Sequence, residues 1–321
     1  MIKLDISEKP DKNWNVRLKN SPVGTIYHTK EHGDVMKFLG RTPFFLKFLD
    51  NTENIIAQML VSTYPVHDKS VIGNFFQKIP IIKNKYCSWN FGPVIFDSNY
   101  NKEVSESFAD FLFKNRYLPI GSEAPLLGGS LSTMNQFFIS EKWATFLIDL
   151  SEEKEVLWGK LKERRNITRA QKAGVHVKQI SYSDLEYYRQ VREETKPVPL
   201  STLQKRWNLL SEVGWTGFLA FIDDIPIGGI LLSFFNGYIN EWGVARTKKD
   251  TVEKLYAQDL LKWKIIEWGK KNNFRYYDLT GVKPDLRDKK EEGIFHYKKK
   301  WGGKYIEFNK IISKGSLKRF F

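Results

Sequence analysis

The chain has 321 residues, of which 41% are hydrophobic and 15% aromatic, enough to bury one large core or two ordinary ones. Its formal net charge of +14 and pI of about 9.5 draw polyanions, whether nucleic acid, phosphorylated small molecules or anionic lipid headgroups. Extended disorder is excluded by the aromatic content. An intramolecular disulfide or a cysteine-based metal site is excluded by the single cysteine, Cys87. A helical span is excluded because no apolar run approaches the roughly 18 residues it needs. The opening residues lack the apolar stretch of a secretory signal, so a cytoplasmic location with at most peripheral membrane contact is expected.

In chain order, two apolar runs at 44–49 and 55–61 flank the polar turn 50–54 and predict a β-hairpin. Ser151 is placed to cap a helix reaching about residue 173, with Glu152 and Glu153 in its first turn and Gly174 at its end. That helix carries Lys160, Lys162, Arg164, Arg165, Arg169 and Lys172, a set suited to phosphate contacts or equally to a solvated face. A second hairpin follows at 217–222 and 227–235, then the Asn236-Gly237 turn, whose residues tolerate positive φ, and a strand at 238–245. A long helix at about 252–271 presents Leu255, Tyr256, Leu260, Trp263, Ile266 and Trp268 on a broad apolar face. A strand at 274–279, a short helix and a last strand at 304–312 complete the chain.

The two hairpins match in letters: residues 45–50 align with 218–223, and 56–60 with 227–231. An internal duplication is expected, divided near Leu150 into lobes 1–150 and 151–321. The order of hairpin, strand, helix, strand, short helix and strand is that of an α+β, acyltransferase-like fold with a mixed central sheet flanked by helices.

Some residues carry chemistry. The segment Tyr297, Lys298, Lys299, Lys300, Trp301 holds three cations between two rings and stops at Gly302-Gly303. It reads either as a site for an anion or oxyanion or as a solvated charge run. Arg206 has the planar fork to pair with a phosphate or carboxylate, or is an exposed helix arginine. His28 and His32 have helical metal spacing but lack the HExxH order, so no metal is expected. The role of His296 stays open, Asp278 reads as a turn former, and Cys87 as a buried small apolar residue.

With those residues in place, the chain resembles the FemABX family, aminoacyltransferases of peptidoglycan interpeptide bridges with two tandem GNAT-like lobes. The resemblance begins at residues 20–26, an "SP.GT" segment, and passes through 91–97, 145–151 and the basic helix ending at 172–175. It is strongest at 256–263, 277–281, 293–298 and 301–303. It implies transfer of an aminoacyl group from aminoacyl-tRNA, the donor co-substrate, to an amine of a peptidoglycan-precursor-like acceptor, with no other cofactor, no metal and no covalent enzyme intermediate. A lipid-linked acceptor would bring peripheral membrane contact.

On this resemblance Lys298 stabilises the oxyanion or the terminal tRNA phosphate, Tyr297 fixes the amine through its backbone carbonyl, and Glu123 receives the amine proton. Tyr256, Arg206 and Trp207 face substrate, although a tyrosine is common where Trp207 stands. The family's first-lobe lysine falls near Asp34, with Met36 and Lys37 beside it, so Lys37 is the substrate-binding candidate there. Lys162, Arg165, Arg169 and Lys299 are the tRNA-binding candidates. Two alternatives remain. One is an acyl-CoA-dependent N-acyltransferase of the GNAT superfamily acting on a cell-envelope or polysaccharide substrate, against which residues 246–252 contain no glycine to cradle a pyrophosphate. The other is a non-catalytic tRNA- or precursor-binding protein.

Overall fold

The computed structural model describes residues 2–66, 85–126 and 139–312. The chain forms two compact units, residues 1–143 together with 307–321, and residues 144–306. The division thus falls at 143–144 rather than at 150, and the end of the chain belongs to the first unit rather than the second. Pairing explains the return, because Lys310, Ile311 and Ile312 lie antiparallel to Ser122, Gly121 and Ile120, and Ile311 is buried in the first unit's core.

In the first unit, β1 (Lys3–Ser7), β2 (Thr42–Leu49), β3 (Ile55–Pro65) and β4 (Lys85–Ser88) are successively antiparallel. β6 (Tyr117–Ser122) lies parallel to β4, and the short β5 (Val94–Ile95) pairs with β3. Helices α1 (Trp14–Asn20), α2 (Lys30–Phe38) and α3 (Asn101–Lys114) flank this sheet. The hairpin turn is held by the Asp50 carboxylate, which accepts from the backbone N–H of Thr52 at 2.8 Å and of Asn54 at 2.9 Å. Leu46, Phe48, Met59, Val61, Phe108 and Leu112 build the core, so the alternating strands and the apolar helix face meet as their patterns require.

In the second unit, β7 (Ser140–Asp149), whose part from residue 144 lies here, is followed by α4 (Lys154–Lys160), α5 (Arg164–Lys172), β8 (His176–Gln179), α6 (Leu185–Glu193) and α7 (Leu200–Gly214). Then come β9 (Trp215–Ile222), β10 (Ile225–Phe235), β11 (Tyr238–Arg246), α8 (Lys248–Val252), α9 (Ala257–Lys271), β12 (Tyr276–Asp278), α10 (Lys289–Lys299) and the start of β13 (Lys304–Ile312), whose part from residue 307 lies in the first unit. β8, β9, β10 and β11 are successively antiparallel, β12 is parallel to β11, and β7 is antiparallel to β12. Asp223 and Asp224 in one turn, and Asn236 and Gly237 in the next, all take positive φ, as two-residue hairpin loops demand. Every residue of β9 is buried, which explains its nearly unbroken apolar run.

Two helices differ from expectation. The span 151–173 breaks into α4 and α5 at residues 161–163. There the side chain of Leu161 is buried, and the Lys162 N–H bonds the Lys300 carbonyl at 3.1 Å instead of an upstream turn. Ser151 does not cap it, because its N–H and hydroxyl both bond the Asp149 carboxylate. The long apolar helix starts at Ala257 rather than near 252, because Lys254 and Tyr256 adopt left-handed φ of 54° and 56°.

Candidate functional site

The second unit gathers a polar network where β11, β12, α9 and α10 converge. Lys262 projects from the apolar face of α9 and forms an ion pair with Glu241 of β11, both side chains being at most 4% exposed. The same Glu241 oxygen accepts from the Tyr277 hydroxyl at 2.5 Å, and burial pushes that phenol well above its ordinary pKa. Such a pair is held only if each charge is answered, and here a lysine and a phenol answer one carboxylate.

Lys298, near the end of α10, sends its ammonium to the backbone carbonyls of Thr280 and, at 3.0 Å, Gly281. Burial lowers its pKa to about 8. Lys262 pushes in the same direction, while Glu241 and Asp278 oppose it. An ammonium has three N–H groups, and two are committed to carbonyls, so one is left to address a ligand. Gly302 and Gly303 set the exit from α10. Gly302 has φ of +73°, and a side chain on Gly303 would stand about 3.0 Å from the Leu147 backbone.

The ring of Tyr297 has Lys300 at 4.9 Å and Lys262 at 5.7 Å from its centroid. Its hydroxyl is buried beside the indole of Trp301, and burial raises its pKa well above the ordinary value, while Oδ1 of Asp259 is buried without a hydrogen-bond partner among the described residues. Burial raises the pKa of Asp259, and its other oxygen accepts from Asn166 at 3.1 Å.

Tyr256 stands just before α9 in its left-handed conformation, and Arg169 of α5 donates to its hydroxyl at 3.4 Å. Lys162, Arg165 and Lys299 are exposed like Arg169 and available to a polyanion. On α7, Arg206 lies 5.2 Å over Trp242, and Trp215 meets both Trp207 and Trp242 edge-on. The Arg206 Nε is buried without a partner among the described residues, and burial lowers the guanidinium's pKa. His296 is exposed and lies 3.6 Å from Glu292.

The N-terminus of α9 is already occupied. The Ala257 N–H donates to Asp250 at 2.9 Å, and Asp250, wholly buried, also accepts from Arg246 at 2.5 Å. A carboxylate of the chain therefore fills the place where a helix start would receive a phosphate.

In the first unit Glu123 is fully buried, and one oxygen accepts both the backbone N–H of Asn309 at 2.9 Å and its side-chain amide at 3.0 Å. Lys37 is half exposed and pairs with Asp34 at 3.6 Å. Close to it in sequence, Met36 and Arg41 line a cavity of about 230 Å³ with Tyr27, His32, Tyr64 and Trp89, and among the described residues no carboxylate lines it. Arg41 lies 4.4 Å over Tyr64 and donates to Ser88 at 3.3 Å. His28 is a core residue: its Nδ1 accepts the Leu60 N–H at 2.9 Å, its Nε2 bonds Phe91 O at 3.1 Å, and burial lowers its pKa to about 4. Cys87 is buried, and burial raises its thiol. Among the described residues no cluster of three His, Cys, Asp or Glu is poised for a metal, and no helix is long and apolar enough to cross a membrane.

Sequence reasoning singled out Lys298, Tyr297 and Tyr256, which the second unit brings into connected elements. It missed the Glu241–Lys262 pair, the cavity at Arg41 and the reach of Asp278. A lysine amid the apolar letters of 260–266 was the available signal for Lys262.

No protein-family model matches the chain, and no curated protein matches it by sequence. Solved structures do match. A crystal structure of FemX superposes with a TM-score of 0.72 at 12% identity over 98% of this chain and 99% of that one. L-PGS from Bacillus licheniformis gives 0.59 at 13% over 97% and 94%. A tandem GNAT protein from the clavulanic acid biosynthesis pathway gives 0.53 at 8% over 96% and 98%. The fold is α+β, two tandem GNAT-like lobes. That is the fold the family resemblance implied, and it is similar to that of FemX.

Proposed function

We propose that the protein is a FemABX-like aminoacyltransferase, moving an aminoacyl group from aminoacyl-tRNA to an amine of a peptidoglycan-precursor-like acceptor. The observation that carries this reading is Lys298, a partly buried ammonium held by two carbonyls with one N–H left over, at the position of the family's lysine. The acceptor amine attacks the ester carbonyl, the oxygen takes up negative charge, and the third N–H of Lys298 meets it. As the intermediate collapses, the bond to the ribose oxygen breaks, the amide forms, and the proton given up by the amine ends on that oxygen, which leaves as the ribose hydroxyl. Exposed Lys162, Arg165, Arg169 and Lys299 supply phosphate contacts, and Tyr256 and the Arg206–Trp242 stack offer an aromatic and a cationic surface to substrate.

The cavity at Arg41, cationic and lined by no carboxylate among the described residues, suits a phosphate or carboxylate of the acceptor, and supports Arg41 rather than Lys37 as the first unit's anion contact. Glu123, already accepting twice from Asn309, serves better as a strand tether than as the proton acceptor. The acyl-CoA alternative is disfavoured because Asp250 and Arg246 occupy the start of α9. A working site on the cytoplasmic side of the membrane follows from the tRNA donor.

Incubation of the full chain with charged tRNA and amine-bearing muropeptide precursors, followed by mass spectrometry of the acceptor, tests the proposal. Amide formation that collapses in Lys298→Ala is expected. Absence of transfer to every acceptor, together with micromolar binding of acetyl-CoA, would reverse it in favour of the CoA reading.

A further inference from the structure

Asp278 is fully buried at the end of β12, and its carboxylate collects donors from three directions. Thr145 on β7 donates to Oδ1. Tyr238 and Asn240 on β11 donate to Oδ2, at 2.5 and 3.3 Å. The Thr280 backbone N–H reaches Oδ1 at 2.6 Å. Burial raises the carboxyl's pKa, and these hydrogen bonds oppose the rise. Four donors on one carboxylate are far more than a turn needs.

The consequence is seen two residues on. Thr280 is β-branched yet has φ of 49°, a left-handed conformation that is strained for such a residue and persists only where its surroundings hold it. The hold here is the N–H bond to Asp278, with the Thr280 hydroxyl 3.5 Å from the Glu241 carbonyl as a weaker second. In that conformation the carbonyls of Thr280 and Gly281 both turn to Lys298.

The geometry points to Asp278 as a positioning residue for Lys298: by locking Thr280 left-handed, it fixes the two-carbonyl seat that holds the lysine's ammonium. It touches no substrate and acts only through the Thr280 turn. This rests on the reading of Lys298 as the transfer lysine, but the seat itself can be tested without any transfer assay. The charged groups facing Lys298 are Glu241, Lys262 and Asp278, so loss of the Asp278 charge and loss of the carbonyl seat both leave more of the lysine neutral and accessible.

The test is trace acetylation of the native full chain with acetic anhydride at pH 7, read lysine by lysine by mass spectrometry. In Asp278→Asn the Lys298 rate should rise at least about threefold, the equivalent of half a pKa unit. Lys262, buried in its own pair, should stay protected. Thr145→Val keeps the carboxylate and removes one donor; it should give a smaller rise in the same direction, and it decides the matter if Asp278→Asn does not fold. An unchanged Lys298 rate overturns the proposal, and so does a parallel rise at Lys262, which would mean that Asp278 merely supports the core. A chain that shows the selective rise but transfers nothing from tRNA would retain the seat and lose the proposed function.

Discussion

The two units share a run of strand, two helices, three antiparallel strands, helix and parallel strand, and each buries a carboxylate at the same place, where that parallel strand ends. In the first unit this is Glu123, after β6; in the second it is Asp278, closing β12. Each accepts from a side chain on the strand that closes its sheet, Asn309 on β13 and Thr145 on β7. There the likeness stops. One oxygen of Glu123 takes two donors of a single residue and ties two strands together. Asp278 takes donors from two strands and from its own turn, and that turn carries the carbonyls of Lys298. A repeated architecture can keep a carboxylate in place and change what leans on it.

Removing one partner of the buried pair should have the largest effect. Lys262→Ala leaves Glu241 buried without its ion-pair partner, with the Tyr277 hydroxyl still bonded to it and Lys298 facing it, so stability should fall by about 3–5 kcal/mol, read from urea denaturation midpoints. A loss below 1 kcal/mol would mean that Glu241 finds water, and would remove the second unit's claim to a dry network. Next, Lys298→Ala should slow transfer about 100-fold or more, the range for loss of one oxyanion donor. Glu123→Ala should act on stability instead. It orphans the Asn309 donors at a cost of about 1–3 kcal/mol. The acetylation rate of Lys298 should stay as in wild type; if it changed with Glu123, the division of labour between the carboxylates would be wrong.

The pH dependence of stability also separates the units. His28 in the first is neutral when folded and has a pKa of about 4 against an ordinary 6.5, so the unfolded chain binds more protons between those values. Stability should therefore fall as pH drops from about 6.5 to 4, by up to about 1.4 kcal/mol per unit. Lys298 in the second has a folded pKa of about 8 against 10.5. Between those values the unfolded chain again binds the extra proton, so this group makes stability rise with pH from about 8 to 10.5. In Lys298→Met the alkaline rise should vanish from melting curves while the acid fall remains.

Much of the architecture was legible because it rests on local chemistry. Asn236-Gly237 and Asp223-Asp224 supplied the positive φ their turns need, and the apolar runs of both hairpins alternated or filled according to burial. The boundary was not legible, because what returns residues 307–312 to the first unit is pairing with β6, nearly 190 positions away in sequence. The helix breaks at 161–163 and 254–256 were hidden for a related reason. Neither contains glycine or proline, and a distant carbonyl or an unusual backbone conformation ends the helix instead. Of the site, Lys298 could be read because rings and glycines bracket it. Its seat could not, since Thr280 carries no outward sign of a left-handed conformation and Asp278 looks like any residue at a strand end.

The central claim is that Lys298 acts as a carbonyl-held ammonium with a pKa near 8. The most direct test is the pH dependence of single-turnover transfer from charged tRNA, corrected for spontaneous ester hydrolysis. The wild-type rate should fall above about pH 8 as the ammonium is lost, and that alkaline limb should be missing from whatever activity Lys298→Arg retains, since its guanidinium stays charged. A wild-type rate that holds level to pH 10, or an identical limb in Lys298→Arg, would contradict the claim.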